Sequence, residues 1–306
     1  MTDKKIIYGV NIGIVSDFEN HMANCGESLG NYKTIKKTTD GRAVIAPQMI
    51  RHTVFDAIKS INTLDPNKKD TFVSNSDGIT NQIENDLRAD QGGYMHTNVG
   101  NMSGTRQSCI YTCAAVALEK SRINTDLMTR LSDPSSGLNP AMVTMEYSEK
   151  DPMPFAFYYD LRKEGITEVF EYKDTFNIGS TIIPHINADE RLRRFLIFIQ
   201  ATSELEDFAN QARRAVVANP TKVIIVFDKT SHRKAANFFK YSEKKQKNII
   251  EELKDRGIVY FIGDDETENS VYMAYKKAID YVMSNDTILY DPSNGAKIQT
   301  FKEAFG

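Results

Sequence analysis

The residues best placed by type and spacing to do chemistry stand together in Ala46-Pro47-Gln48-Met49-Ile50-Arg51-His52-Thr53. The stretch reads as a loop entering a helix, with proline in the first turn and Met49, Val54 and Ile58 able to pack on one side. Gln48, Arg51, His52 and Thr53 then gather polar groups near a helix start, where free backbone N–H groups and the dipole favour an anion. Arginine suits phosphate because its planar fork makes paired charge-assisted bonds. Between Lys33 and Lys59 six basic residues (Lys33, Lys36, Lys37, Arg42, Arg51 and Lys59) face Asp40 and Asp56, a local balance of +4 in a chain of net charge −3. A basic site on a mildly acidic chain points to a particular polyanion rather than to general stickiness. His52 as a catalytic base finds no legible nucleophile or second base beside it.

Further candidates are scattered along the chain. Asn11 and Ser16 lie on the polar side, or at the end, of a first strand and can bond sugar or phosphate. Tyr94 and Met95 follow the flexible Gly92-Gly93, with Met102 nearby. A tyrosine can stack on a base, and an apolar side chain can wedge between two. Arg106 opens the strand that follows. Arg213 and Arg214 come after a long helix and join Arg191, Arg193 and Arg194 in a basic set. Cys109 and Cys113, four residues apart, read as small buried hydrophobes. Asp264, Asp265, Glu266 and Glu268 read as acids at a helix start rather than as a metal site.

These groups must be positioned by ordinary globular elements, since the 306 residues are 41% hydrophobic and 26% charged. The three cysteines include no CxxC pair, which argues against a disulfide framework or a zinc site and for a reducing cytosol. The N-terminus has no apolar stretch suited to a signal peptide, and the apolar runs are of strand length, so a soluble cytoplasmic protein without a membrane span is expected. Alternation over Ile6 to Val15 predicts a strand whose second face carries Gly9, Asn11 and Gly13, leaving room for something close to the backbone. A loop or short hairpin over 17–46 and a helix from Pro47 to about Ile61 follow. Residues 62–105 are rich in Asn, Asp, Ser, Thr and Gly and read as a protruding insertion with one short helix around Asn81 to Leu87. Strands are predicted over Ser108–Leu118, Met142–Tyr147, Phe155–Leu161, Glu168–Phe176, Lys222–Phe227 and Ile258–Ile262. Helices are predicted over 189–207, 242–256 and 271–283, with a weakly structured tail after Asn285. Strands in the middle and helices toward the end suggest an α+β domain. The alternation after Lys222 leaves open a small α/β piece, although neither a dinucleotide-binding nor a P-loop glycine pattern is present.

In this order, the strand ending Val15-Ser16, the Ala46-to-His52 helix start, Asn85-Asp86-Leu87-Arg88-Ala89-Asp90-Gln91-Gly92-Gly93-Tyr94-Met95, and Arg106-Gln107-Ser108-Cys109-Ile110-Tyr111-Thr112 resemble the DevR-type backbone subunit of type I CRISPR Cascade, in the RAMP superfamily. The resemblance covers roughly residues 5–230. Ala46-Pro47-Gln48 stands where such subunits often carry Ser-Gly-Gln. The resemblance implies a modified RRM or ferredoxin-like palm with inserted fingers and thumb, in a right-hand shape, forming one domain over 1–306 with 62–105 as the thumb-like insertion. It implies a non-catalytic protein without metal or cofactor that polymerises head-to-tail along a guide RNA. Such a filament presents guide bases to target DNA and works beside other Cascade subunits. RNA-binding residues are then expected at Asn11, Ser16, Arg42, Gln48, Arg51, His52, Tyr94, Met95, Arg106, Arg213 and Arg214. The competing expectations are an RNA-cleaving RAMP endoribonuclease, with His52 or His96 as base, and a nucleotide-using enzyme built on residues 222–284.

Overall fold

The chain is described here by a computed structural model over residues 4–75, 80–94, 106–131, 137, 139–173, 175–206, 208, 216, 218–230 and 232–305. In chain order the elements are β1 (Lys5–Ile7), β2 (Gly9–His21), β3 (Cys25–Leu29), β4 (Tyr32–Ile35), β5 (Val44–Ile45), α1 (Pro47–Leu64), α2 (Leu87–Gly92), β6 (Ile110–Thr112), β7 (Ala115–Val116), β8 (Ile123–Arg130), β9 (Ala141–Asp160), β10 (Ile166–Lys173), β11 (Phe176–Pro184), α3 (Ala188–Ala201), β12 (Pro220–Phe227), α4 (Glu243–Asp255), β13 (Val259–Asp264), α5 (Val271–Val282), β14 (Thr287–Leu289) and α6 (Phe301–Phe305). Short 3₁₀ turns cover Leu161–Lys163 and Lys234–Lys240.

An eight-stranded sheet runs β13-β12-β2-β9-β4-β3, with β6 and β8 also paired to β9. At its heart lie β2, α1, β6, β9, α3 and β12, a β-α-β-β-α-β path whose antiparallel strands stand in the order β12-β2-β9-β6. That is the connectivity of a ferredoxin-like or RRM-like unit. Val10, Ile12 and Ile14 of β2 lie opposite Tyr159, Phe157 and Phe155 of β9, and this face is buried with α1, α3 and α5 in the main core. The alternation in β2 therefore does what its sequence promises on one face. The expected single strand is divided at Tyr8, whose ring stacks on Tyr290 at 4.7 Å, and β1 pairs with β14 instead.

The other face explains the glycine. A Cβ on Gly13 would meet the Ala235 carbonyl at 3.2 Å, because residues 232–240 cross β2 and β9 there. What lies close to that backbone is the protein's own 3₁₀ segment. A second core beneath it joins Ile224 and Val226 of β12 to Ala235, Phe238, Ile249, Leu253 and Ile258. The segment after Lys222 is thus an extension of the same sheet, with β13 antiparallel to β12, rather than a separate α/β unit.

Two predicted strands, Met142–Tyr147 and Phe155–Leu161, fall, all but Leu161, in the 20-residue β9, which carries Pro152 and Pro154 through the middle of the sheet. Proline removes a ladder donor and normally stays at edges. Here β6 pairs with β9 from Phe157 onward and β8 only up to Ser148. Between them the side of β9 away from β2 meets irregular chain: Leu118 N–H donates to the Pro152 carbonyl at 3.1 Å, and Cys113 N–H to that of Ala156 at 3.2 Å. The two prolines point their nitrogens into this gap.

The described part of 62–105 is packed inward. Val73, Leu87 and Ala89 are buried, the one helix is Leu87–Gly92, and Met95 and Met102 lie outside the described residues. The element that stands apart is the hairpin β10–β11, paired with itself and inserted between β9 and α3, with Phe170, Phe176 and Ile178 exposed. Its sequence reads as one strand over Glu168–Phe176. The tail is ordered as well: the Gln299 carbonyl accepts from His185 Nδ1 at 2.7 Å. Among the described residues, no helix is long and apolar enough to cross a membrane.

Candidate nucleic-acid interface

Proline at its first position starts α1, and the Pro47 carbonyl accepts a 3.1 Å bond from the Thr112 hydroxyl of β6. The helix start is thereby tied to the edge strand. Gln48 is exposed, and His52 is half-exposed with Nε2 2.9 Å from the Asp56 carboxylate one turn on. Arg51 behaves differently. Its guanidinium donates to the Ile110 carbonyl at 2.8 Å, to Ser108 at 3.2 Å and to the Gly92 carbonyl, and it lies over the Phe55 ring together with Arg88. Burial, and then the charge of Arg88, lower its pKa. Arg51 thus fastens the 92–110 segment to α1 and leaves little of its fork for a phosphate. Arg42 reaches Asp40 at 2.8 Å beside the same region.

Across β6, on the face away from the main core, Tyr111 and Tyr158 lie 5.9 Å apart. The Arg233 guanidinium sits over both rings, 4.5 and 4.0 Å from their centroids, and Lys163 donates to the Tyr111 hydroxyl. Arg233 is exposed and Lys163 partly so. Cations over aromatic faces are attracted by the ring quadrupole. This pair places basic groups beside the β6 edge on the face away from the main core. Sequence reasoning missed Tyr111, Tyr158, Lys163 and Arg233. The available signal was strand alternation, which sends Tyr111 and Tyr158 opposite ways from Ile110 and Tyr159.

The other expected residues are occupied elsewhere. Asn11 is buried and donates to the His232 carbonyl at 2.8 Å, holding the 3₁₀ crossing. Ser16 is buried and donates to the Ala218 carbonyl at 2.8 Å. Tyr94 packs with Ile83, Ala89 and Phe301, and its backbone pairs with that of Arg106. Arg106 is buried against the Asp90 carboxylate. Asp90 has no solvent exposure and also takes Arg194 at 2.7 Å and the Gly165 N–H at 2.8 Å. Burial alone would raise its pKa, but the two arginines hold it below the usual range. Arg194 has no exposed side-chain surface and also meets Glu190 at 2.6 Å; Arg193 spans Glu190 and Asp65. Arg191 donates to the Leu161 carbonyl at 2.9 Å. Arg106 and the α3 set therefore close the interior instead of meeting a ligand. Arg213 and Arg214 lie outside the described residues.

Nearby, Glu164 is buried, shares a hydrogen bond with the Tyr159 hydroxyl, and is pushed up to about 8 by burial. Cys109 is buried and Cys113 partly so. Asp265 accepts the Val271 N–H at 2.8 Å at the start of α5.

No family model and no curated protein matches the sequence. Solved structures do share the fold. A chain of a "CRISPR RNA-guided surveillance complex" superposes with a TM-score of 0.55 at 12% identity, over 89% of this chain and 98% of that one. A chain of a "CRISPR RNA-guided surveillance complex, pre-nicking" does so with a TM-score of 0.53 at 10% identity, over 90% and 100%. At such identities the likeness is one of fold.

Proposed function

We propose that this chain is a guide-RNA-binding subunit of a type I Cascade complex, copies of which line up head-to-tail along the RNA and present its bases to target DNA beside other subunits, in the cytoplasm and without cleaving. The observation that carries this reading is the extent of the fold likeness. Almost the whole length of two surveillance-complex chains is covered, which a generic RRM-like sheet would not give. The basic groups flanking β6 supply a polyanion surface compatible with it. Sequence-tolerant backbone binding by such groups predicts steep salt dependence and little preference for spacer sequence. The test mixes the purified chain with a repeat-spacer RNA and weighs the product by mass photometry. Discrete multi-copy particles that lengthen with the spacer are expected; a monomer that ignores the RNA would overturn the reading.

One observation favours RNA cleavage as a second reading. The half-exposed His52–Asp56 pair has the reach of an oriented general base. Cleavage of a labelled guide precursor that is lost in His52→Ala would support it. A wild-type chain that assembles on the precursor and leaves it intact would exclude it.

A further inference from the structure

The densest run of positive charge begins beside the β6 edge and extends well beyond it. Between Lys229 and Lys247 stand Lys229, Arg233, Lys234, Lys240, Lys244, Lys245 and Lys247 against a single acid, Glu243. All seven are exposed. Lys234 is paired with Glu252. Among the described residues, no carboxylate lies within ion-pair distance of Lys229, Lys240, Lys244 or Lys247.

Helix stability does not account for this arrangement. Glu243 opens α4 and Lys254 stands in its last turn, as the dipole favours, but Lys244 and Lys245 share the first turn, where it disfavours cations, and Glu252 and Asp255 share the last, where it disfavours anions. Lys247 precedes Glu251 by four residues, the weaker orientation for such a pair. Functional surfaces are where such local rules are expected to be broken. Core packing does not account for it either, since Ile249 and Leu253 form the buried stripe of α4 and the lysines face outward.

The surface alternates cation and ring. Lys245 Nζ sits 3.4 Å from the Tyr241 ring centroid, and Arg233 lies over the partly exposed Tyr111, with Tyr158 buried beneath it. The large exposed hydrophobics that a membrane surface would need are absent between 229 and 254 among the described residues. Cations that follow a backbone, with rings on which bases stack, form the combination that holds unpaired strands.

We propose that the end of the 3₁₀ segment, from Lys240, and the first half of α4 form a binding track for a single-stranded nucleic acid, adjoining the β6 edge and extending beyond it. This goes beyond the guide reading, because a chain that already holds a guide has a second surface for another strand. The probe is fluorescein-labelled (dT)20 in a salt series, titrated by anisotropy into guide-loaded particles. If no particles form, the same titration on the free chain decides this proposal independently. Lys244→Gln/Lys245→Gln/Lys247→Gln is expected to weaken (dT)20 binding at least about tenfold and to lower the salt slope by about 2, at roughly 0.7 for each phosphate no longer neutralised, with guide assembly unchanged. Lys69→Gln/Lys120→Gln/Lys276→Gln, the same charge change elsewhere, is expected to leave binding within about twofold. Equal effects from both triples would overturn the track in favour of diffuse electrostatics, as would wild-type binding by the first triple. Binding of anionic phosphatidylserine vesicles that is lost in the first triple, with (dT)20 ignored, would overturn it in favour of a lipid surface.

Discussion

Two helices carry runs of positive charge, and the molecule treats them in opposite ways. On α3, Arg191, Arg193 and Arg194 turn inward and are matched by Asp90, Glu190, Asp65 and backbone carbonyls. On α4, Lys244, Lys245 and Lys247 stay in water. The difference follows from side-chain chemistry. A guanidinium offers five donors in a fixed fork, and Arg194 uses it on Glu190, Ile83, Asp90 and Glu84 at once. A lysine ammonium is a compact, strongly hydrated charge that is costly to bury and readily left at the surface. The arginines thus report on how the interior is sealed, and the lysines on what approaches from outside.

The contrast breaks first at Arg194. Arg194→Ala leaves Asp90 and Glu190 short of a partner in the interior and is expected to destabilise the fold by ~3–5 kcal/mol in urea unfolding. The lysine triple is expected to stay within about 0.5 kcal/mol of wild type. Equal stability of the two variants would dissolve the distinction. The interior also has a pH signature. Glu164 has its folded pKa raised from 4.5 to about 8. The stability it contributes is full below about pH 4.5, declines as pH rises through the window, and levels off above about 8. The slope is at most about 1.4 kcal/mol per pH unit for one proton. Glu164→Gln is expected to flatten that slope between pH 5 and 8 and to leave the salt dependence of (dT)20 binding untouched. A wild-type unfolding free energy that is level across the window would refute it.

Smaller effects sharpen the contrast at α1. Arg51→Ala is expected to destabilise by about 1–3 kcal/mol, through the carbonyl groups it leaves unsatisfied, while the salt slope of guide binding stays as it was. A slope reduced by about one would instead make Arg51 a phosphate contact. Gln48→Ala/His52→Ala is expected to shift stability by no more than about 0.5 kcal/mol and to weaken guide RNA binding in a filter assay. Unchanged affinity would remove the helix start from the interface.

Local patterning was readable where one principle dominates. The proline start of α1, the start of α3, the amphipathic α4 and α5, and the apolar β12 all lie within a few residues of where periodicity puts them, while α3 ends at Ala201, six residues before the predicted end. Pairing across long distances was not readable. Nothing local shows that Gly13 makes way for Ala235, or that the expected tail supplies a partner for β1. Two of the candidate site residues show the same limit. Arg106 looks exposed until Asp90 is brought beside it from 16 residues away, and Asn11 looks free until His232 arrives from 221 residues away. Residue type announces a capacity for hydrogen bonding, and only the fold assigns the partner. The basic run at 229–247 was legible by counting. It is divided between a 3₁₀ segment and a helix, so no single motif spans it.

The gap that admits Pro152 and Pro154 has a consequence for how the sheet finds its phase. If β9 slid by one residue along β2, both imino nitrogens would turn toward the β2 ladder and two inter-strand bonds would vanish. The same slip would carry Tyr158 inward and Tyr159 outward, exchanging the ring beneath Arg233 with the one that bonds Glu164. The prolines act as a keyway that accepts the strand in one setting, so the rule deciding which tyrosine lies beneath Arg233 is written four to seven residues ahead of the pair.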